Sequence, residues 1–201
     1  MKIIAVSQRL EKSKYGELRA QLDSNLLNFV YKSGYIPVPI PYFIYNKKKS
    51  LKCLSLWIKK IKPDGFILSG GDDIGKFKIR DWSELFILSF AKRKRIRLLG
   101  ICRGMQLIAK KHGSRLIKVK NHVNKNHFII MNKKKIKVNS YHNMALDNCP
   151  KNFQITSRAE DGVIESIKSN YYKIEGWMWH PERYKSFKNF DIKSFKRLFS
   201  E

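Results

Sequence analysis

The sequence predicts an α/β fold: a central, mostly parallel sheet flanked by helices, with antiparallel strands added in the C-terminal half. Three observations carry that expectation. Strand-like and helix-like segments alternate four times between Met1 and Gly113, the pattern of parallel strands joined through covering helices. Ile96 to Ile101 is a largely apolar run, as expected of a central strand packed on both faces. From Leu116 onward helical spacing gives way to short β-prone runs.

Lys2 to Ser7 is small and β-branched enough for a buried strand, and Lys12 to Gly16 reads as polar loop. Leu18, Leu22, Leu26, Phe29 and Val30 recur at helical spacing, with Gly34 placed for a left-handed cap. Tyr35 to Ile40 contains Pro37 and Pro39, which restricts it to an edge strand. Ser50 to Ile61 predicts a second helix ended by Pro63, and Asp64 to Leu68 a strand that runs into Ser69-Gly70-Gly71-Asp72-Asp73-Ile74. Asp81 to Arg93 is helical through Leu85, Phe86 and Leu88, and leads into the Ile96 to Ile101 strand. Cys102 to Ile108 opens another helix, closed by Gly113. Beyond it, Phe128 to Met131, Ile136 to Val138, Phe153 to Ser157, Val163 to Ile167 and Tyr172 to Met178 are expected as antiparallel strands. Ile192, Phe195, Leu198 and Phe199 form the apolar face of a docked terminal helix. No repeat or linker divides the chain, so residues 1–201 are expected to form a single domain.

A formal net charge of +26 makes the chain strongly basic, yet 43% hydrophobic and 12% aromatic residues exclude a disordered polycation. No apolar run approaches the roughly 18 residues of a membrane span, and Ile3 to Val6 is too short for the apolar part of a secretory signal. No membrane partner and a cytoplasmic location are therefore expected. Cys53, Cys102 and Cys149 lie far apart in sequence, with no close pair for a metal knuckle or a redox dithiol. Basic runs at Lys47-Lys48-Lys49, Lys92-Arg93-Lys94-Arg95 and Lys133-Lys134-Lys135 are separated by patterned apolar segments. Such a field suits either an anionic small substrate or nucleic acid. No zinc-finger spacing, basic helix or RNA-binding strand motif favours the latter.

Gly100-Ile101-Cys102-Arg103-Gly104 places a thiol between a buried strand and a helix. This is the cysteine counterpart of the tight strand-to-helix turn that presents a hydrolase nucleophile, and the glycines leave room for the turn. A helix N-terminus also favours a thiolate. Alone, the pattern is equally that of a strand ending in a core cysteine. Trp179-His180-Pro181-Glu182 adds a second group. On an extended backbone His180 and Glu182 would share one face, and a carboxylate there would orient the imidazole as the third member of a Cys102, His180, Glu182 triad. By itself that segment would also fit a surface turn.

Together Ser69-Gly70-Gly71-x-Asp73, Gly100-Ile101-Cys102-Arg103-Gly104-Met105-Gln106, Asn139-Ser140-Tyr141-His142 and Trp179-His180-Pro181-Glu182 resemble, in order and spacing, the class I glutamine amidotransferase-like hydrolases. Arg80-Asp81-x-x-Glu84 is similar to the γ-glutamyl hydrolase branch. The resemblance spans nearly the whole chain and implies a flavodoxin-like amidotransferase fold. It further implies attack by Cys102 on a γ-glutamyl carbonyl, His180 oriented by Glu182 as acid and base, and an oxyanion hole from the backbone N–H groups of Gly71 and Arg103. Gly70, Arg80, Gln106, Ser140, Tyr141 and His142 would bind substrate; Gln106 would otherwise brace its helix, and Ser140 and His142 order a loop. The chain departs from the family pattern at Asn143 and Met144, where members usually carry a His and a Gln, and at Met178, where they carry a Gln.

No synthetase or phosphate-loop module accompanies the site, which favours a free-standing hydrolase over the glutaminase half of a larger enzyme. The short, lysine-rich chain resembles family members acting on nucleotide-linked γ-glutamyl amides, and a pyrophosphate leaving group would be drawn to a basic cleft mouth. Lys76, Lys78 and Arg80 are candidate phosphate contacts. The competing readings are a γ-glutamyl-amine hydrolase, the glutaminase component of an amidotransferase, and a nucleic-acid-binding protein with an idle site. No cofactor or metal is expected, and nothing in the sequence speaks to oligomeric state.

Overall fold

The computed structural model describes residues 1–200. In chain order the elements are β1 (Ile3–Val6), β2 (Arg9–Lys12), β3 (Leu18–Gln21), α1 (Ser24–Lys32), β4 (Ile36–Pro39), α2 (Lys47–Ile61), β5 (Gly65–Leu68), α3 (Lys78–Lys94), β6 (Arg97–Ile101) and α4 (Arg103–Lys111). The C-terminal half adds β7 (Leu116–Lys118), β8 (Val123–Met131), β9 (Lys134–Tyr141), β10 (Met144–Leu146), β11 (Phe153–Ala159), β12 (Ile164–Ser169), β13 (Ile174–Trp177) and α5 (Asn189–Ser200). Nine strands make one sheet in the order β4-β1-β5-β6-β13-β12-β11-β8-β9. From β4 to β13 all neighbours are parallel, in the flavodoxin-like order. From β13 to β9 all are antiparallel.

The proline-bearing strand β4 is the sheet edge, as expected, because Pro37 and Pro39 cannot donate to a second neighbour. The other expected edges shift for local reasons. Asn46 caps α2 by accepting from the Lys49 N–H at 3.0 Å, so the helix begins at Lys47 rather than Ser50. Leu18 and Leu22 do not open α1. Gly16, at φ +88°, turns the chain back, so Arg9–Lys12 and Leu18–Gln21 pair as a hairpin. Asp23 then caps the helix by accepting from the Asn25 N–H at 2.8 Å. The larger correction concerns β13, expected as antiparallel. It is antiparallel to β12 but parallel to β6, with Trp177 paired to Ile101.

Helices cover both faces of the parallel half. Met105 of α4 packs against Gly176 and Ile108 against Gly100. On the opposite face Phe199 of α5 lies against Gly65. Phe195 meets Phe29 of α1 edge-to-face at 5.3 Å and Tyr35 at 5.5 Å, which docks the terminal helix. Among the described residues no helix is long and apolar enough to cross a membrane.

Candidate active site

Because β5, β6 and β13 are parallel neighbours with Leu68 opposite Gly100 and Ile101 opposite Trp177, their carboxyl ends align. The Ser69-Gly70-Gly71 loop, Cys102 and the segment to His180 therefore leave the sheet at one edge, where ligands bind in parallel α/β sheets. Had β13 run antiparallel, His180 would have emerged at the other end.

Cys102 joins β6 to α4 with φ 49° and ψ −105°, a conformation that L-residues rarely adopt and that costs of order 1–3 kcal/mol. The turn is held by the Cys102 N–H donating to the Trp177 carbonyl at 2.7 Å. A side chain at position 104 is excluded: a Cβ there would lie 2.0 Å from the Leu68 carbonyl oxygen. The thiol thus sits at the start of α4, whose first backbone N–H groups, including that of Arg103, have no intrahelical partner.

His180 ends the extended segment after β13, and Glu182 lies in the single 3₁₀ turn Pro181–Arg183 that follows. The two side chains meet through that turn and not along a shared strand face. His180 Nδ1 and Glu182 Oε1 are 2.7 Å apart, with both residues buried. Asn139 holds the histidine backbone from both sides, its Oδ1 accepting from the His180 N–H at 2.8 Å and its Nδ2 donating to the His180 carbonyl at 2.7 Å. Burial disfavours the imidazolium, but the Glu182 carboxylate and the neighbouring Cys102 outweigh it and raise the His180 pKa to about 9.

Gly70 lies directly against the His180 ring. Gly71, at φ +124°, turns the loop over the cleft beside Arg9 and Arg80. Arg80 itself was expected to meet substrate, but it has no exposed surface. Its Nη2 donates to the carbonyls of Ser69 and Gly70, each at 2.9 Å, and its Nε to Glu84 Oε1 at 2.9 Å. Arg80 thus braces the glycine loop from behind. Glu84 also pairs with Arg103, whose guanidinium reaches Asp81. Lys76 is held by Asp72 at 2.8 Å.

Gln106 donates to the Met144 carbonyl at 2.9 Å, from the helix that begins at the thiol. Tyr141 packs edge-on to His180, ring centroids 5.7 Å apart, and carries the Arg183 guanidinium over its face at 4.5 Å. The side chains of Ser140 and His142 turn away from His180. Ser140 Oγ donates to the His122 carbonyl at 2.6 Å, and His142 Nε2 lies 3.2 Å from Glu165 Oε1. A small cleft beside His180, Glu182 and the glycine loop is lined by Arg9, Asp23 and Arg183, with Cys102 and Gln106 outside its lining. Arg9, Asp23, Asn139 and Arg183 are site residues that the sequence does not single out. Arg9 was hidden by the misread hairpin, whereas Asn139 stood within a recognised motif.

The chain matches the family model for glutamine amidotransferase class-I over residues 19–194. It is 33% identical over 200 residues to the γ-glutamyl-CDP-amidate hydrolase of Campylobacter jejuni subsp. jejuni serotype O:2, covering 94% of each chain. It is 31% identical over 153 residues to the glutamine-hydrolyzing GMP synthase of Limosilactobacillus reuteri, covering 69% of this chain and 28% of that longer one. Among solved structures, a glutamine amidotransferase of Thermotoga maritima superposes with a TM-score of 0.65 at 15% identity, covering 98% of this chain and 83% of the other. A family match of that length, on a sheet that gathers the recognised motifs at one edge, places the chain in the class I glutamine amidotransferase family.

Proposed function

We propose that the chain acts as a single domain that hydrolyses a γ-glutamyl amide through Cys102, His180 and Glu182, with γ-glutamyl-CDP-amidate as the substrate. The products are glutamate and cytidine diphosphoramidate, as required for the phosphoramidate decoration of capsular polysaccharide. The observation that carries the reading is the buried His180–Glu182 pair at 2.7 Å, at the same sheet edge as the strained turn of Cys102. The Cys102 sulfur adds to the γ-carbonyl while His180 holds its proton, and the oxyanion is met by the N–H groups of Gly71 and Arg103. His180 then protonates the departing nitrogen as the C–N bond breaks. Neutral His180 takes a proton from water, whose oxygen displaces the thiolate and completes glutamate.

The nucleotide reading is supported by two guanidiniums at the cleft, Arg9 and Arg183. Both line the cleft beside His180 and the glycine loop, and charge-assisted contacts to phosphate are the stronger class of hydrogen bond. Arg9→Ala and Arg183→Ala should each raise KM for γ-glutamyl-CDP-amidate about tenfold, as loss of one such contact implies, and leave KM for γ-glutamyl-γ-aminobutyrate unchanged. Glutamate release from those two amides and from glutamine, measured side by side, tests the whole assignment. Preferential turnover of glutamine or of the aminobutyrate would discard the nucleotide and keep the triad.

Glu182→Gln separates orientation from charge. The reaction needs protonated His180 at nitrogen departure, so kcat/KM should hold at neutral pH and fall as pH rises through about 9. Glutamine retains a hydrogen-bonding oxygen but no charge, so the alkaline limb should move toward the ordinary histidine value of about 6.5. A pH–rate profile with an unmoved limb would remove Glu182 from this role.

A further inference from the structure

A second cluster of polar groups, independent of the proposed reaction, lies where the β8–β9 hairpin meets β12. Glu165 of β12 has no exposed surface, and its Oε1 is approached by three imidazole nitrogens: His122 Nδ1 at 3.5 Å, His127 Nε2 at 3.4 Å and His142 Nε2 at 3.2 Å. The far side of two rings is already engaged. His122 Nε2 lies 2.8 Å from Asp161 Oδ2, and His142 Nδ1 lies 3.1 Å from the Met144 carbonyl. A carbonyl can only accept, so the Nδ1 of His142 carries the proton and donates it. In the neutral ring the Nε2 lone pair then points at the carboxylate.

The same holds for His122 when its Nε2 donates to Asp161. Lone pairs and a carboxylate oxygen converging on one point call for a cation between them. Protons alone fit poorly, because three N–H groups would compete for one oxygen, and among the described residues neither His127 nitrogen nor Glu165 Oε2 has a hydrogen-bond partner. By contrast, ligand nitrogens and oxygens about 2.0–2.1 Å from a tetrahedral ion sit about 3.3 Å from one another. The three His–Glu165 separations bracket that edge length. His122, His127 and Glu165 offer ligand atoms all within 4.8 Å of one another, and His142 Nε2 joins them through Glu165 at 3.2 Å. A carboxylate and a carbonyl on the outer ring nitrogens are also the usual support of metal-bound histidines.

We propose that His122, His127, His142 and Glu165 bind a divalent transition-metal cation of the zinc type, with Asp161 orienting His122. Four protein ligands leave no open position, so the ion is structural. It ties the hairpin to β12 behind the wall formed by Met144, whose carbonyl also receives Gln106.

The test uses the full chain carrying Cys102→Ala, so that Cys102 cannot bind metal, after chelator treatment and dialysis. Titration with Zn²⁺ followed by calorimetry, elemental analysis and thermal melting should give one ion per chain and a raised melting temperature. His127→Ala removes a ligand whose nitrogens hold nothing else, so it should keep the fold and lose at least about 100-fold in affinity. Asp161→Asn should lose about tenfold, the lower end of the range for an outer-shell partner. His112→Ala, whose ring bonds the Ile108 carbonyl instead, should bind as the parent does. Absence of stoichiometric uptake, or equal affinity in the His127 variant and its parent, would overturn the site.

Discussion

Replacing Cys102 by alanine is expected to lower kcat for γ-glutamyl amide hydrolysis by on the order of 10⁶-fold, the scale on which serine proteases respond to loss of their nucleophile. The melting temperature should move by no more than about 3 °C, equivalent to roughly 1 kcal/mol in a chain of this size. The two expectations belong together. Alanine keeps the Cβ, so the positive-φ strain at position 102 is the same in both proteins. The hydrogen bonds that build the turn, Cys102 N–H to the Trp177 carbonyl at 2.7 Å and Gln106 N–H to the Cys102 carbonyl at 3.0 Å, are backbone bonds that do not involve the sulfur. What the substitution removes is the atom that would form the thioester. Cys53→Ala, on α2, and Cys149→Ala, whose Sγ donates to the Phe153 carbonyl, are expected to retain activity. Turnover by Cys102→Ala within tenfold of the parent would sink the mechanism.

The first strands of the parallel half are legible because they are short apolar runs, with glycines at the carboxyl ends of β5 and β6, and residues close in sequence decide that pattern. Strand direction is a different property. Nothing within Tyr172 to Met178 distinguishes a strand parallel to β6 from an antiparallel one; the direction follows from the path that brings β13 back beside β6. That path is what carries His180 to the thiol. Leu18 and Leu22 show the opposite difficulty, since their spacing fits a helix but the Gly16 turn and the Asp23 cap act locally and win. With the hairpin goes Arg9, which only the folded chain brings to the cleft. Arg80 was misplaced because a charged residue after a glycine loop reads as exposed, whereas its burial depends on Glu84 one helical turn later. The histidines around Glu165 come from β8 and the residue before it and from just beyond β9, and Glu165 from β12, with no spacing that resembles a metal motif.

Glu84→Gln is expected to lower stability by about 3–5 kcal/mol, the usual cost of removing one partner from a buried ion pair. In a chain of this size that is a fall in melting temperature of roughly 10 °C. The reason lies in how many charges converge. Glu84 Oε1 accepts from Ser7 Oγ at 2.8 Å and from Arg80 Nε at 2.9 Å, and its Oε2 pairs with Arg103, all three residues being fully or almost fully buried. Burial alone would raise its pKa, but Arg80 and Arg103 hold it below the usual carboxylate value. The sign follows from that direction: the stabilisation is present at neutral pH and is lost as pH falls below the unfolded-state value toward the lowered folded one. Glutamine keeps the shape and part of the hydrogen bonding but leaves two buried guanidiniums sharing only Asp81 and the more distant Asp72. The variant should therefore lose part of the acid-dependence of its melting temperature along with its stability. It should also lose activity beyond the unfolded fraction, because Arg80 grips the carbonyls of Ser69 and Gly70 while Arg103 contributes its backbone to the start of α4. Both proposed oxyanion donors are thus fixed through one carboxylate. Equal melting curves for the two proteins across pH 4 to 8 would mean that the guanidiniums find solvent or other anions, and that the glycine loop is held by its backbone alone.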